Sequence, residues 1–531
     1  MAVVSGRRAL RWVAALLLAL LLTPVVSGMG PAGAQAKKSD VDPNGVARYG
    51  VNFVNFLFQD DFNPALSVSV DAEYVFFDYL YDTLLNQNKE GTKVIPGLAE
   101  SYRIVDPSTL ELKLRQGLKF SNGDPLTSAE VKASVEYAQR NSPLDARRMK
   151  TWVNLTEVQT PDPLTVRFVM SKPEAFSLQF QLTGVPGMVV HKSMIAGAAA
   201  KPIGAGPFMF DSYTREQIVK MKKNPNFYNE KQILLSGLDI VNVPLGPEGV
   251  AALRSGAIDF TTTDAVTLQQ LSGQKQFGTD SKPGNTYYNV YLRLDGPMAN
   301  VKFRQALSTA LDRTAMNEAV QAGFGETTNQ PYGTLSPYYN KSVANLYAYS
   351  LPKAKKLLQE SGVPAGTALD IVYPGQAANV EQLRQAEIIK AQWEKLGLKI
   401  NLIPAPDTPA IIAQYYSNPS SNGFSATIVG SINPVSQVQG RFFAGQFVAT
   451  RQNSVLPNVE ALYLQFQANP NDAKPVIEAV KYLVENAVEI PIAFRNRNLA
   501  WDDKRIGGTI SAPTEVTDNV ELEGVYVKKG S

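Results

Sequence analysis

The sequence predicts an α/β fold that is divided among several domains. The clearest evidence is a segment in which a strand at 369–373, an amphipathic helix at 380–396 and a strand at 398–403 follow one another. A strand–helix–strand unit of this kind builds a parallel sheet with covered faces. The length of 531 residues is a second indication, because domains average roughly 150 residues.

Strands and helices alternate along the rest of the chain as well. β-favouring or alternating residues predict strands at 48–58, 110–114, 165–170, 204–213, 257–261 and 287–294. Apolar residues at helical spacing predict helices at 71–85, 248–254, 301–311 and 352–358. Thr127 and Glu130 have the spacing of a capping box, which predicts the start of another helix.

The first 36 residues have the three parts of a secretory signal peptide. Three arginines lie between residues 7 and 11, residues 12–22 are apolar, and small residues lead to Ala34 and Ala36. The apolar run is shorter than the ~20 residues that span a membrane, so a retained anchor is the less favoured alternative. We expect cleavage after Ala34 or Ala36, by the general secretory route rather than the twin-arginine route.

The absence of cysteine bears on where the exported chain resides. With no cysteine the chain can form neither a disulfide nor a lipid-modified N-terminal anchor. An unanchored protein is retained only where an outer membrane encloses it. The expected location is therefore the periplasm.

Charge and residue usage exclude several functional classes. Lys+Arg total 51 and Asp+Glu total 48, and removal of the three N-terminal arginines leaves a neutral chain, which predicts no nucleic-acid partner. The only histidine is His191, so neither a His-His zinc site nor a Cys-His dyad can form. Gly28, Gly30 and Gly33 match a dinucleotide-binding pattern only by chance, inside the signal peptide. We expect no enzyme activity, no cofactor and no metal.

Several short segments, in a fixed order, carry a family resemblance. They are LYDTL at 80–84, PGLAES at 96–101, LKLRQGLKFSNG at 112–123, LTSAEV at 126–131, GAGPF at 204–208, NPNFY at 224–228, LRSGAID at 253–259, FRQAL at 303–307 and ALDR at 310–313. Each is weak alone, but together they resemble the family 5 extracellular solute-binding proteins of ABC transporters. This is the group of dipeptide-, oligopeptide- and nickel-binding proteins.

The resemblance implies a two-lobed periplasmic-binding-protein fold, class II-like and type C. Lobe I would take residues 37–290 and 491–531, with an extra subdomain inserted at about 66–200, and lobe II residues 291–490. Such a protein is a monomer that closes on a small organic solute and delivers it to the permease subunits of an ABC transporter. The alternative is a ligand-sensing receptor or chaperone on the same fold, not coupled to uptake.

Some motif residues have predicted structural roles. Gly97, Gly117 and Gly123 are expected in turns with positive φ. Arg304 and Arg313, with Asp312, are expected to anchor a helix through hydrogen bonds and charge pairs.

The resemblance also suggests which side chains face the solute. They are Phe58 and Gln59 in the first loop, Tyr291 and Arg293 in the crossing strand, and Asn433 and Ser436 in a lobe II loop.

Two of these residues bear on the charge of the solute. Asn433 stands where peptide-binding relatives carry an acid that holds the ammonium group, and a buried ammonium without its partner loses about 3–5 kcal/mol. Arg293 offers a planar fork for a carboxylate, although a surface ion pair, for example with Asp295, is equally open. The sequence therefore predicts a peptide-like solute that is neutral or anionic.

Overall fold

The computed structural model describes residues 37, 39–53, 62–66, 74–88, 91–141, 152–197, 201–244, 246–375, 380–428, 431, 433–512 and 519–531. The predicted signal peptide and the loop with Phe58 and Gln59 lie outside the described residues.

The strands of the first part of the chain are β1 (Val46–Val51), β2 (Leu85–Gln87), β3 (Val94–Pro96), β4 (Ala99–Asp106), β5 (Thr109–Leu114), β6 (Leu155–Asp162) and β7 (Thr165–Met170). The later strands are β8 (Phe208–Thr214), β9 (Ile218–Lys223), β10 (Gly237–Asn242), β11 (Phe260–Thr262), β12 (Phe277–Leu292), β13 (Glu326–Thr327), β14 (Ala368–Pro374), β15 (Lys399–Ala405), β16 (Gly423–Ile428), β17 (Glu489–Asp502), β18 (Ile506–Gly507) and β19 (Tyr526–Val527).

The helices are α1 (Tyr74–Tyr81), α2 (Ser128–Asn141), α3 (Ala175–Gln181), α4 (Lys192–Ile195), α5 (Pro247–Ser255), α6 (Ala265–Leu271), α7 (Val301–Thr309), α8 (Arg313–Gln321), α9 (Leu351–Ser361), α10 (Val380–Glu394), α11 (Thr408–Ile411), α12 (Pro434–Phe442), α13 (Phe447–Arg451), α14 (Pro457–Ala468) and α15 (Lys474–Glu485).

One long sheet connects two lobes through a pair of strands. Its order is β15-β14-β16-β12-β17-β11-β1-β10-β9-β8, and β13 also pairs with β17. The antiparallel strands β12 and β17 lie at its centre and pair from Phe277–Asp502 at one end to Tyr291–Glu489 at the other. The register shifts between Pro283 and Tyr287, where both strands cross from one lobe to the other.

Parallel pairing on each side of the crossing creates two similar half-sheets. In lobe I, β1 runs parallel to β10 and β11, and in lobe II, β14 runs parallel to β15 and β16. The predicted strand–helix–strand unit is confirmed as β14–α10–β15. Because parallel strands end at a common edge, the loops after these strands meet near the crossing, where α/β sheets place their ligand sites.

A separate four-stranded antiparallel sheet forms the subdomain. Its order is β4-β5-β7-β6, and the inward side chains of β5, at Leu110, Leu112 and Leu114, are fully buried. Together with α2 and α3 they enclose a core of their own, which runs from Leu84 to Ala205. The predicted capping box is present, because the Thr127 N–H donates to Glu130 at 2.9 Å and the Ala129 N–H donates to the Thr127 hydroxyl.

The predicted turn glycines divide into two kinds. Gly117 and Gly123 have φ of 77° and 90°, as expected. The prediction for Gly97 is wrong, because its φ is not positive. A Cβ at Gly97 would instead meet the Thr83 carbonyl oxygen at 2.4 Å, so glycine is required there by a close backbone approach.

Buried arginines anchor the lobe II helices through backbone carbonyls. Arg304 donates to the carbonyls of Asn486, Ala487, Met298 and Ala299. Arg313 donates to Pro491 and Ser308, and burial lowers its pKa to about 10.

The predicted anchoring by hydrogen bonds is thus confirmed. Asp312 acts as the N-cap of α8, accepting from the Ala315 N–H at 3.0 Å, instead of the charge pair that was expected. Within the described residues, no helix is both long and apolar enough to cross a bilayer.

A half-buried carboxyl, that of Asp78, ties α1 to the C-terminal segment. Asn519 Nδ2 donates to Asp78 Oδ2 at 2.6 Å, and the Tyr79 hydroxyl donates to the Val520 carbonyl at 2.8 Å. Burial, followed by the charge of Asp82, raises the pKa of Asp78 to about 7. In the unfolded chain its pKa is about 3.9. The folded state therefore binds the proton more tightly, and the stability contributed by this group falls as the pH rises from about 4 to about 7.

We predict that Asp78→Asn removes this loss of stability, because an asparagine oxygen can still accept from Asn519 and carries no charge that must be partly desolvated. The variant should exceed the wild type in free energy of unfolding by about 1–3 kcal/mol at pH 8 and match it near pH 4. Denaturant unfolding at the two pH values is the measurement, with the exposed Asp503→Asn as control. A constant difference between Asp78→Asn and wild type at both pH values would contradict the prediction.

Candidate functional site

A groove opens where the two crossing strands pass between the lobes. About 750 Å³ of space lies between its lining residues when open solvent is counted, and about 90 Å³ of it corresponds to a cavity that water-sized molecules can enter. The inserted subdomain forms one wall, lobe II forms the other, and the crossing segments form the base. The lining residues are Gly91, Thr92, Phe180, Pro283, Gly284, Asn285, Glu326, Pro331, Tyr332, Gly333, Leu335, Ser336, Pro337, Tyr338, Ser431, Gln437 and Phe494.

The subdomain wall is held against the crossing strand. Gly91 and Thr92 belong to the turn between β2 and β3, and Phe180 projects from α3. Asn285 Nδ2, at the register shift of β12, donates to the Gly91 carbonyl at 3.2 Å. The base and this wall are therefore connected by a direct hydrogen bond.

The lobe II wall is a loop rich in tyrosine, proline and glycine, residues 331–338. The Tyr332 hydroxyl donates to the Pro434 carbonyl and shares a hydrogen bond with the Tyr463 hydroxyl, each at 2.8 Å. Gln437 Nε2 donates to the Pro331 carbonyl, and Gln437 Oε1 accepts from the Ser431 N–H. One buried amide thus fixes both segments that face the groove.

Asn433 and Ser436 lie at the start of α12, next to this wall. Asn433 is the N-cap: its Oδ1 accepts from the Val435 N–H at 3.0 Å, and its Nδ2 donates to the Ser436 hydroxyl at 2.9 Å. Only 1% of Asn433 is exposed. Its contacts orient the helix that presents Gln437, and Ser436 itself is exposed.

The described lining of the groove is nearly free of charge. Its one ionisable acidic or basic side chain is Glu326, whose carboxylate accepts from the Thr334 N–H and hydroxyl at 2.8 and 3.1 Å. Burial raises the pKa of the Tyr338 hydroxyl to about 12, so it remains a neutral hydrogen-bonding group. Such a lining suits a neutral solute with apolar and hydrogen-bonding parts.

A buried ion pair supports the lobe II end of the crossing strands. Arg441 Nε on α12 lies 2.9 Å from Glu489 Oε2 on β17, and Arg441 also donates to the Tyr287 hydroxyl at 3.0 Å. Burial raises the pKa of the Glu489 carboxyl, and Arg441 opposes that rise. The pair joins α12 to both crossing strands.

Tyr291 and Arg293 lie at the lobe II end of the crossing strand, Tyr291 within β12 and Arg293 just after its last residue. Tyr291 is half-buried and stacks on Phe424, with ring centroids 5.7 Å apart. A strand advances about 3.3 Å per residue, so Arg293 lies roughly 20 Å along the chain from Tyr287. Arg293 therefore lies away from the groove, whereas Tyr291 packs against the cluster that contains Tyr287 and Phe494, and Phe494 lines the groove.

The guanidinium of Arg293 is occupied by backbone carbonyls. It donates to Ser421, Arg451, Tyr415 and Asn418 at 2.5 to 3.1 Å, and 7% of the residue is exposed. The sequence left two alternatives for Arg293, the binding of an anionic solute or a surface ion pair. The guanidinium contacts seen in the structure correspond to neither. They give Arg293 a structural role, in which it closes the loops at the far end of lobe II.

The one histidine of the chain has a structural position, at the start of a helix. His191 is buried, accepts from the Ser193 N–H as the N-cap of α4 and contacts Asp124 at 2.9 Å. Among the described residues, no group of three or more His, Asp or Glu side chains is placed to hold a metal ion.

The sequence-based prediction did not include the residues that form the lobe II wall. Tyr332, Tyr338 and Gln437 are absent from the predicted set. A signal was present, since residues 331–339 combine aromatic, proline and glycine residues in one loop. Such loops, when held by a rigid scaffold, often carry binding residues.

Comparison with known proteins agrees with this architecture. A sequence profile described as "Bacterial extracellular solute-binding proteins, family 5 Middle" matches residues 93–447. The chain belongs to this family.

Similar proteins bind different solutes. The heme-binding protein A of Haemophilus influenzae is 26% identical over 466 residues, which cover 78% of this chain and 84% of that protein. The dipeptide-binding protein of Escherichia coli is 26% identical over 383 residues, covering 65% and 69%. The structure of NikA from Brucella suis in complex with Fe(III)-EDTA superposes with a TM-score of 0.77 at 20% identity, covering 91% of this chain and 100% of that one. This likeness confirms the two-lobed fold.

We predict that Arg293→Ala mainly lowers stability, because it leaves several buried carbonyl oxygens without a donor. The free energy of unfolding should fall by about 2–5 kcal/mol. In Arg451→Ala an exposed guanidinium is lost while the carbonyl that Arg293 contacts is kept, so this control should stay within about 0.5 kcal/mol of wild type. An Arg293→Ala variant that unfolds like wild type but loses affinity for its solute would restore the anion-binding role.

Proposed function

We propose that this protein is the extracytoplasmic solute-binding component of an ABC importer. It captures a small, peptide-like, neutral solute between its lobes and delivers it to the permease subunits. It acts as a periplasmic monomer, has no enzyme activity of its own, and is exported with removal of residues 1–34 or 1–36.

The single observation that carries the proposal is the groove at the crossing strands. It lies between two lobes, as hinge closure requires, and both a subdomain loop and a lobe II loop contribute to it. A solute held there contacts both sides only when the lobes are closed, so binding favours the closed form. A permease can then distinguish the loaded protein from the empty one by its shape.

The sequence predicted a solute that is either neutral or anionic, and the charge of the groove lining supports a neutral one. Arg293, the residue that suggested an anion, is turned toward carbonyl groups elsewhere in lobe II. Glu326 is the one acidic or basic side chain of the described lining, and its carboxylate accepts from the N–H and the hydroxyl of Thr334. An anionic solute would find no described counter-charge in this lining.

The nature of the solute is proposed from chemistry and from relatives together. Asn285 and Ser431 can donate to and accept from amide groups, and the neighbouring tyrosine and phenylalanine rings suit apolar side chains. Relatives include proteins named for dipeptide and di/tripeptide binding. A peptide-like solute with few net charges fits both observations.

Binding of a solute by the exported protein tests the proposal. Full-length protein produced in a bacterium with an outer membrane should be recovered from the periplasm with the mass of a chain starting at Gln35 or Lys37. Solutes from an extract of peptides should raise its thermal unfolding temperature, by the equivalent of about 2.7 kcal/mol at one hundred times Kd. Native mass spectrometry identifies the solute that is retained.

Two tryptophan variants test whether the solute binds in the groove. Ser336→Trp puts a large side chain into the groove and should abolish the solute-induced stabilisation. Ser342→Trp makes the same change at an exposed serine outside the groove and should leave it intact. Equal stabilisation in both variants, or no saturable stabilisation of wild type by any peptide, would overturn the proposal. Saturable binding without transport in a permease-containing strain would favour the receptor alternative.

A further inference from the structure

The inserted subdomain touches lobe II through a row of aromatic rings. Phe176 of α3 meets Phe466 of α14 edge to face, with centroids 5.0 Å apart and planes at 89°. Phe466 in turn meets Tyr338 at 5.5 Å and 83°. On the subdomain side Phe176 meets Phe180 at 5.1 Å. We call these four residues the aromatic bridge.

A hydrogen bond accompanies the bridge. Gln467 Nε2 donates to the Ser177 hydroxyl at 3.2 Å, and each of these residues is 8% exposed. Both partners follow a bridge residue directly in the sequence. The contact between the subdomain and lobe II is therefore a packed, partly polar interface.

The two ends of the bridge line the groove, whereas its middle does not. Phe180 and Tyr338 belong to the lining, but Phe176 and Phe466 lie behind them. Phe466 is fully buried and belongs to the core of α12, α14 and α15. The rings thus form a continuous wall across the space between the subdomain and lobe II, with the crossing strands as the opposite boundary.

We infer that the aromatic bridge closes the groove on the side of the inserted subdomain and limits the length of the solute. This inference rests on the proposed function, because it names the size of the peptide-like solute that the same groove accepts. A solute longer than the space between the crossing strands and the bridge must separate Phe176 from Phe466. It would have to break edge-to-face contacts that a shorter solute leaves intact.

The ordinary alternative is interdomain packing that stabilises the closed form for every solute alike. The two roles differ in one measurable respect. Loss of a contact that only stabilises the closed form lowers the affinity for all solutes by the same factor. Loss of a wall instead changes the ratio of the affinities for long and short solutes.

The test uses alanine peptides of two to six residues with acetylated and amidated ends, which carry no charge. Calorimetry should show that wild type binds the short members and loses affinity beyond one length. In the double variant Phe176→Ala, Phe466→Ala, the affinity ratio of long to short peptides should rise by about tenfold or more. The control Phe447→Ala, which removes an aromatic ring that is 52% exposed, should keep the wild-type profile.

The other outcomes decide the inference as well. If the double variant changes the affinity for peptides of every length by the same factor, the length limit is overturned but the proposed function stands. Binding of a longer peptide by the double variant alone supports the limit. If neither protein binds any of these peptides, the length limit is overturned, and the proposed function is decided by the screen of the peptide extract.

A second experiment tests the bridge without a solute. The chain has no cysteine, so Ser177→Cys with Gln467→Cys gives one defined pair of thiols. A short thiol-specific cross-linker should join them in the folded protein, and the joined protein should bind short peptides and reject long ones. Absence of cross-linking, or binding of long peptides by the joined protein, would contradict the inference.

Discussion

The antiparallel pairing of β12 with β17 is the interaction on which the rest of the architecture depends. Both strands contribute to the half-sheets of both lobes, so the long sheet is continuous across the crossing. The pairing is interrupted where Pro283, which has no N–H to donate, precedes Gly284. A bend in the strands is least costly at this interruption, because few ladder hydrogen bonds are lost there. The same short segment forms the base of the groove.

Buried hydrogen bonds and a buried ion pair hold lobe II together. In lobe II, Arg293, Arg304 and Arg313 distribute their buried charges over backbone carbonyls. The Arg441–Glu489 pair fixes α12 to the crossing strands, and Asn433 caps the same helix. Such networks cost desolvation, but once satisfied they allow few alternative arrangements. The helix that presents Gln437 to the groove is thereby fixed to the crossing strands.

Much of the fold could be predicted from the sequence, because its signals are local. The α10 helix flanked by β14 and β15 has clear periodicity, and the glycines at 117 and 123 occupy turns that need positive φ. The crossing part of β12 was missed, because Pro283 and Gly284 read as breakers while the pairing that overrides them comes from β17, about 200 residues later. The residues of the candidate site were harder to predict, because their positions also depend on contacts between residues far apart in the sequence. That Arg293 contacts carbonyls, and that Tyr338 reaches the groove, follows from tertiary packing and not from sequence spacing.

The distance between the lobes, measured with and without solute, tests the central claim most directly. Lys220 on β9 and Lys399 on β15 are exposed and lie in different lobes, so cysteines placed there carry labels for single-molecule energy transfer. A second pair, at Lys220 and Lys504 within lobe I, reports on the lobe itself. If the crossing strands are a hinge, saturating solute shortens and narrows the distance between the lobes and leaves the distance within lobe I unchanged. An interlobe distance that stays the same at saturation would contradict the account.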